Sequence, residues 1–169
     1  QDKSVDGSIR YRLLESIRQY SNGKLSKEGA VEQGLSGKQA KTDTEHRHGQ
    51  YFSQFGKRGF LSSLDGVESS EHWNILFVEL DNLIAGSQHG KGNHAALCCL
   101  AALKILDMKG PVSLGVDVVT ETLELPNLPS KMVKKLQLER TKCLRISGRM
   151  NEARTDVRRT QKQTEDSSE

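Results

Sequence analysis

Gly110-Pro-Val-Ser-Leu-Gly-Val-Asp-Val-Val-Thr-Glu-Thr122 and Gly148-Arg-Met-Asn-Glu-Ala-Arg-Thr-Asp-Val-Arg-Arg-Thr160 align without a gap at an offset of 38 residues. Gly110 meets Gly148, Val112 meets Met150, Gly115 meets Ala153, Val119 meets Val157 and Thr122 meets Thr160. The spacing carries a physical meaning. A glycine ends one helix, a small residue five positions on lets two helices approach closely, and four residues later a larger apolar side chain on the same face fills the gap. Two such units predict stacked helical hairpins, with second helices at 110–123 and 148–161 and first helices at about 95–108 and 131–147.

Upstream of the repeat the apolar period stays helical. Asn93 stands as a cap before 95–108, whose apolar side is Leu97, Leu100, Ala101, Leu103 and Leu106. A helix at about 72–88 is expected to bury Trp73, Leu76, Phe77, Leu80, Leu83 and Ile84. Thr42-Asp43-Thr44 with Glu45 reads as the start of another, whose stripe Tyr51, Phe52 and Phe55 is expected in the core, ending near Gly56 and Gly59. Residues 26–42 hold Gly29, Gly34 and Gly37 among polar residues, a linker or a weak helix broken by glycine. Before it, Leu14, Ile17 and Tyr20 recur at helical steps that fray at Asn22-Gly23 or run on to Leu25. Residues 9–13 instead alternate apolar and basic behind Asp6-Gly7, the pattern of a strand returning from a hairpin turn.

Composition bounds the answer. Apolar residues are 34% and aromatics 5% of 169 residues, enough for two-layer helix packing and too little for a thick sandwich. The chain opens on Gln1 without apolar period, so a piece of a longer protein is expected. Cys98, Cys99 and Cys143 are odd in number and lack framework spacing, which fits reduced thiols in a cytoplasmic protein. The most apolar run, 95–106, is too short to span a bilayer and contains Lys104. The net charge of +3 hides a pattern: residues 61–125 are acidic, and 126–169 are basic through Lys131, Lys134, Lys135, Arg140, Lys142 and Arg145. A solvated helix face accounts for such a block; contact with nucleic acid stays open beside it.

A repeat period of about 34 residues, lengthened by the loop 125–129, is the arithmetic of a tetratricopeptide (TPR) array. Tyr11-Arg-Leu-Leu-Glu-Ser-Ile-Arg-Gln-Tyr20 resembles a recurring segment of bacterial STAND-class regulators, in which an NB-ARC-like ATPase precedes a winged helix and a TPR-type array. His46-Arg-His48-Gly-Gln-Tyr51-Phe52 is similar to the family's Arg-His and aromatic helix. Glu79-Leu-Asp81-Asn82-Leu83 is similar to its Glu-x-Asp-Asn-Leu box, and Gly148, Ala153 and Val157 fit its TPR helices. The resemblance implies the end of a winged helix at 1–25, a linker at 26–43, a TPR-like array at 44–162 and a polar tail at 163–169. Ser21-Asn22-Gly23 departs from the Ala-rich helix usual there. No Gly-x-x-x-x-Gly-Lys-Ser/Thr occurs in the sequence, so no residue present can be given ATP chemistry.

Catalytic signals do not accumulate. His46 and His48, two apart, point to different helix faces, and His72, His89 and His94 lack partners at ligand spacing, so no metal or other cofactor is expected. No nucleophile elbow or Gly-rich phosphate loop can be read. Cys98 and Cys99 read as small packing residues that cannot both face one core, and Asp81-Asn82 as side chains holding a neighbouring turn. The expected fold is mostly α: an open array of antiparallel hairpins with a short β-ribbon remnant. The expected role is a non-catalytic module binding protein, peptide or a small effector, within a larger ATP-dependent signalling or transcriptional regulator. Lys134, Lys135, Lys142 and Arg145 are expected to meet an acidic partner on the first-helix side. Nucleic-acid binding through the winged-helix remnant and basic helices, or an accessory role beside a cyclase or kinase domain, are the alternatives.

Overall fold

The computed structural model describes residues 2–3, 9–10, 15–31, 36–66 and 69–165. Tyr11 and Leu14 lie outside these residues, as does the tail from residue 166. Among the described residues the chain is mostly helical, with nine α-helices. It divides into two compact units, Gln1–Arg47 and His48–Glu169.

In the first unit Asp2–Lys3 pairs antiparallel with Ile9–Arg10, Asp2 opposite Arg10 and Lys3 opposite Ile9. Two residues on each side are too few to define a wing. Helix α1, Glu15–Ser26, runs through Asn22-Gly23 and past Leu25, the longer of the two expected ends, and Ile17 and Tyr20 stand on its exposed surface. The chain then turns back, with the Gly37 N–H on the Leu25 carbonyl at 2.7 Å and the Val31 N–H on Ser36 Oγ at 3.1 Å. Helix α2, Lys38–Phe52, starts four residues before the expected Thr42. The Thr42 and Thr44 hydroxyls donate back to the carbonyls of Lys38 and Ala40, at 3.0 and 2.8 Å. That bond lets a hydroxyl sit inside a helix, so a residue that resembles a cap need not be one.

In the second unit the last turn of α2 leads into a 3-10 turn, Ser53–Gly56, and then α3, Arg58–Ser63. The stripe expected in the core is split: Phe55 is buried, Phe52 half-buried and Tyr51 exposed. Tyr51 instead meets Phe52 edge-on at the surface, ring centroids 4.9 Å apart. The single helix expected at 72–88 is two helices, α4 (Ser69–Phe77) and α5 (Leu80–His89). Between them the Glu79 N–H closes a tight turn on the Leu76 carbonyl at 3.1 Å. Leu76 and Leu83 are fully buried, whereas Trp73 is half-buried and donates its indole N–H to the Leu64 carbonyl at 3.1 Å.

Helix α6, Gly92–Lys109, is the centre of this unit. Lys91 caps it, and Asn93, expected as the cap, falls inside its first turn. Its burial extends round the cylinder rather than along one stripe. Cys99, Leu100 and Leu103 join one apolar cluster with α7 and α8, while Ala101, Ala102 and Ile105 join another with Phe55, Leu64, Leu76 and Leu83. Helices α7 (Val112–Leu123), α8 (Ser130–Ile146) and α9 (Met150–Glu165) follow. From α5 to α9 each helix packs on its neighbour in sequence, and α5 and α6 also touch the next but one. None of the described helices is long and apolar enough to cross a membrane.

Some positions aligned at the 38-residue offset share local geometry. Gly110 and Gly148 both adopt positive φ, +69° and +79°, a backbone that favours glycine just past a helix end, and α7 and α9 each begin two residues later. A Cβ on Gly115 would lie 3.3 Å from Leu103 Cδ2 and 3.5 Å from Cys143 Sγ, so the small residue sits at a close helix crossing. Ala153 is buried at the equivalent point. Val119 is fully buried, but Val157, expected to fill the same kind of gap, is 44% exposed because no described helix covers α9 on that side. Ala153→Arg is expected to cost about 2–4 kcal/mol by forcing bulk and charge into the seam, while exposed Arg154→Ala stays within about 0.5 kcal/mol. Equal denaturation midpoints for the two variants would remove the basis of the register.

Candidate functional site: a groove of mixed charge between α3, α6 and α8

One side of the second unit carries a concavity of about 250 Å³ between α3, α6 and α8. Its floor is apolar: Leu61 from α3, Leu100 and Leu103 from α6, and Cys143 from α8. Its walls are charged, with Arg58, Lys104, Lys135 and Lys142 set against Asp65, Asp107 and Glu139. Positions on α6 and α8 reach it because helical steps of three and four residues put Leu100, Leu103, Lys104 and Asp107 on one face, with Lys135, Glu139 and Lys142 on the facing one. The four cations expected to act together are therefore divided. Lys135 and Lys142 line this groove, Lys134 is exposed outside it, and Arg145 lines a separate concavity between α8 and α9.

Lys142 is not a free charge. Its ammonium donates to Asp107 Oδ2 at 2.5 Å, and that bond holds its pKa above the ordinary lysine value. Both side chains are partly solvated, at 47% and 34% exposure, so the pair contributes at most about 1 kcal/mol. Arg58, Lys104 and Lys135 make no ion pair among the described residues. Residues from α3 and α6 thus complete a site whose α8 half alone was visible in the basic block. Lys104, the one cation inside the apolar run 95–106, was the available signal.

The motif Asp81-Asn82-Leu83 does structural duty in the described geometry. Asn82 Nδ2 donates to Glu79 Oε2 at 2.7 Å, and its Oδ1 faces His48 Nε2 at 3.4 Å. Glu79 is buried, so this amide supports a carboxylate that would otherwise lose its hydration at the α4–α5 break. Leu83, next in sequence, points into the core, and Asp81 lies exposed in the first turn of α5, where a negative charge suits the helix dipole.

Other nucleophilic side chains are buried or hydrogen-bonded within the unit. Ser53 Oγ lies 3.0 Å from His94 Nδ1, a pairing that 41 residues of separation hid from sequence reading. The serine hydroxyl donates to the Gln50 carbonyl at 2.7 Å, however, which directs its proton away from the imidazole. Cys98 and Cys99 are both fully buried on different sides of α6: Cys98 donates to the Gly49 carbonyl at 3.5 Å, and Cys99 faces the α7–α8 cluster. Burial pushes both thiols up to about 12 and raises Cys143 as well. Thiolate is the nucleophilic and metal-binding form, so all three behave as packing residues near neutral pH. No group of three or more His, Cys, Asp or Glu among the described residues could hold a metal ion. No protein-family model, curated protein or solved structure matches this chain.

Proposed function

We propose that this chain is a non-catalytic, TPR-like helical-repeat module that binds an acidic peptide or anionic effector, as part of a larger ATP-dependent signalling or transcriptional regulator. The observation that carries the binding role is the α3–α6–α8 groove, where Arg58, Lys104 and Lys135 make no ion pair among the described residues and stand around an apolar floor. An apolar floor holds part of a side chain or backbone, and several cations on one concave wall reinforce each other's field toward an anion. The repeat register and the positive-φ glycines ahead of α7 and α9 support the array reading. The regulator reading rests on the order of the motifs at 11–20, 46–52, 79–83 and 148–157. Within it, residues 1–25 would be the end of a winged helix, and a change at the array would pass toward an ATPase module through residues 14–45.

The groove is tested with acidic peptides against the full chain and a variant with Lys135→Glu and Lys142→Glu. The double reversal is expected to weaken binding by about tenfold or more, since two exposed charges change sign at the contact. Because Lys142→Glu also sets a carboxylate against Asp107, a second variant, Lys135→Glu alone, should lose about half of that effect with an unchanged melting temperature. Binding that neither variant alters would retire the groove as the contact.

A further inference from the structure

The register that relates α7 to α9 also gives the α8–α9 hairpin a counterpart for each position of α6–α7, 38 residues earlier. On α6–α7 the surface around Leu103, Val116 and Val119 is covered: all three share a buried cluster with Leu136, Cys143 and Leu144 of α8. Their counterparts are Thr141, Arg154 and Val157. These line an open concavity of about 310 Å³ along α8 and α9, with Arg145, Met150 and Arg158 also at its wall. No described helix lies there. Val157 is 44% and Met150 47% exposed, and Leu138, on the same α8 stripe as Thr141 and Arg145, is 70% exposed.

Charge identifies what fits. At the covered position Asp107 of α6 takes a lysine from the incoming helix, Lys142 of α8. Its counterpart is Arg145, so the sign is reversed and the matching group becomes a carboxylate. Val116 and Thr120 are likewise replaced by Arg154 and Arg158. The concavity contains three arginines and no acidic residue, and none of the three arginines is ion-paired among the described residues. Guanidinium groups match carboxylates in a fork geometry while their aliphatic stems pack on apolar side chains. A second copy of the same face would set three arginines against three arginines, which disfavours self-pairing.

We propose that this face docks an amphipathic, acidic helix of a partner protein, seated as α8 is seated on α6–α7. Its apolar stripe covers Leu138, Met150 and Val157, and its carboxylates meet Arg145, Arg154 and Arg158. This site is separate from the α3–α6–α8 groove, and its test does not depend on that groove.

The experiment titrates the isotope-labelled full chain with two synthetic peptides and follows backbone amide shifts. One peptide has the sequence of residues 130–147, and the other carries Lys134→Glu, Lys135→Glu, Arg140→Glu and Lys142→Glu, which turn it from basic to acidic. The acidic peptide is expected to bind saturably, with shifts at Arg154 and Arg158 of α9 that persist when Lys135→Glu disables the groove, and about tenfold more tightly than the native-sequence peptide. Changing Arg154→Glu and Arg158→Glu in the chain should weaken the acidic peptide by about tenfold or more and reverse the preference between the two peptides. Lys135→Glu in the groove should leave the affinity read from the α9 shifts unchanged. Absence of shifts at α9, equal affinity for the two peptides, or binding indifferent to the arginine reversal would overturn the proposal. Self-association of the chain alone that the added acidic peptide does not displace would overturn it in favour of a second copy.

Discussion

Gly56→Ala is expected to destabilise the second unit by about 3 kcal/mol or more, at the upper end of overpacking costs. A Cβ on Gly56 would lie 1.9 Å from the Leu97 carbonyl oxygen and 2.5 Å from its carbon. Those are backbone atoms of α6, the most buried helix of the unit, so no side chain can rotate away. The 3-10 turn Ser53–Gly56 would have to lift off α6 and take Phe55 out of the core with it. Gly59, three residues on, is the internal control: a Cβ there meets nothing within 4 Å. It sits in α3, so Gly59→Ala should be neutral or stabilising by up to about 1 kcal/mol through helix propensity. Urea denaturation of the two variants measures the contrast. Equal effects would mean that the turn does not rest on α6 as described.

Leu83→Ala should cost about 2–5 kcal/mol, the range for truncating a buried leucine whose cavity only partly collapses. Leu83 is fully buried in the cluster formed by Phe55, Leu76, Ala101, Ala102 and Ile105. Those neighbours come from the 3-10 turn, α4 and α6, so one truncation loosens several contacts at once. Ile75→Ala, at a position 41% exposed, should cost less than about 1 kcal/mol. A midpoint shift at Leu83 no larger than that at Ile75 would show that the core of this unit lies elsewhere. Because Asn82 beside it holds Glu79 and His48, Asn82→Ala adds a distinguishable loss of polar support without opening an apolar cavity.

Local chemistry was legible in the sequence. Residues 95–108, 110–123, 131–147 and 148–161 carry helical periodicity, the first three run into a glycine or proline, and the helices fall there within a few residues. The spacing Gly110–Gly115 also located a close crossing, where only a small side chain fits, and the matching Ala153 is buried. Signals that depend on more than one segment were not legible. Periodicity runs unbroken from Leu76 to Ile84, but a buried carboxylate at Glu79 and its amide partner mark the place where the helix breaks. Thr42 and Thr44 have the chemistry of caps, and only the presence of carbonyls one turn earlier makes them interior residues.

The sequence by itself determined the helical class and the absence of a phosphate-binding loop from these residues, because each follows from spacing within one short segment. Tertiary structure alone decided which polar residues share a surface. Lys135 and Lys142 sit with Arg58, Lys104 and Asp107 in one groove, whereas Arg145, three residues beyond Lys142, belongs with Arg154 and Arg158 in another. Three residues along a helix are most of a turn, and neighbouring helices assign the two edges of that turn to different neighbours. Tyr51 and Val157 follow the same rule: an apolar side chain is core only where another element arrives to cover it, and that arrival is a property of the packed chain.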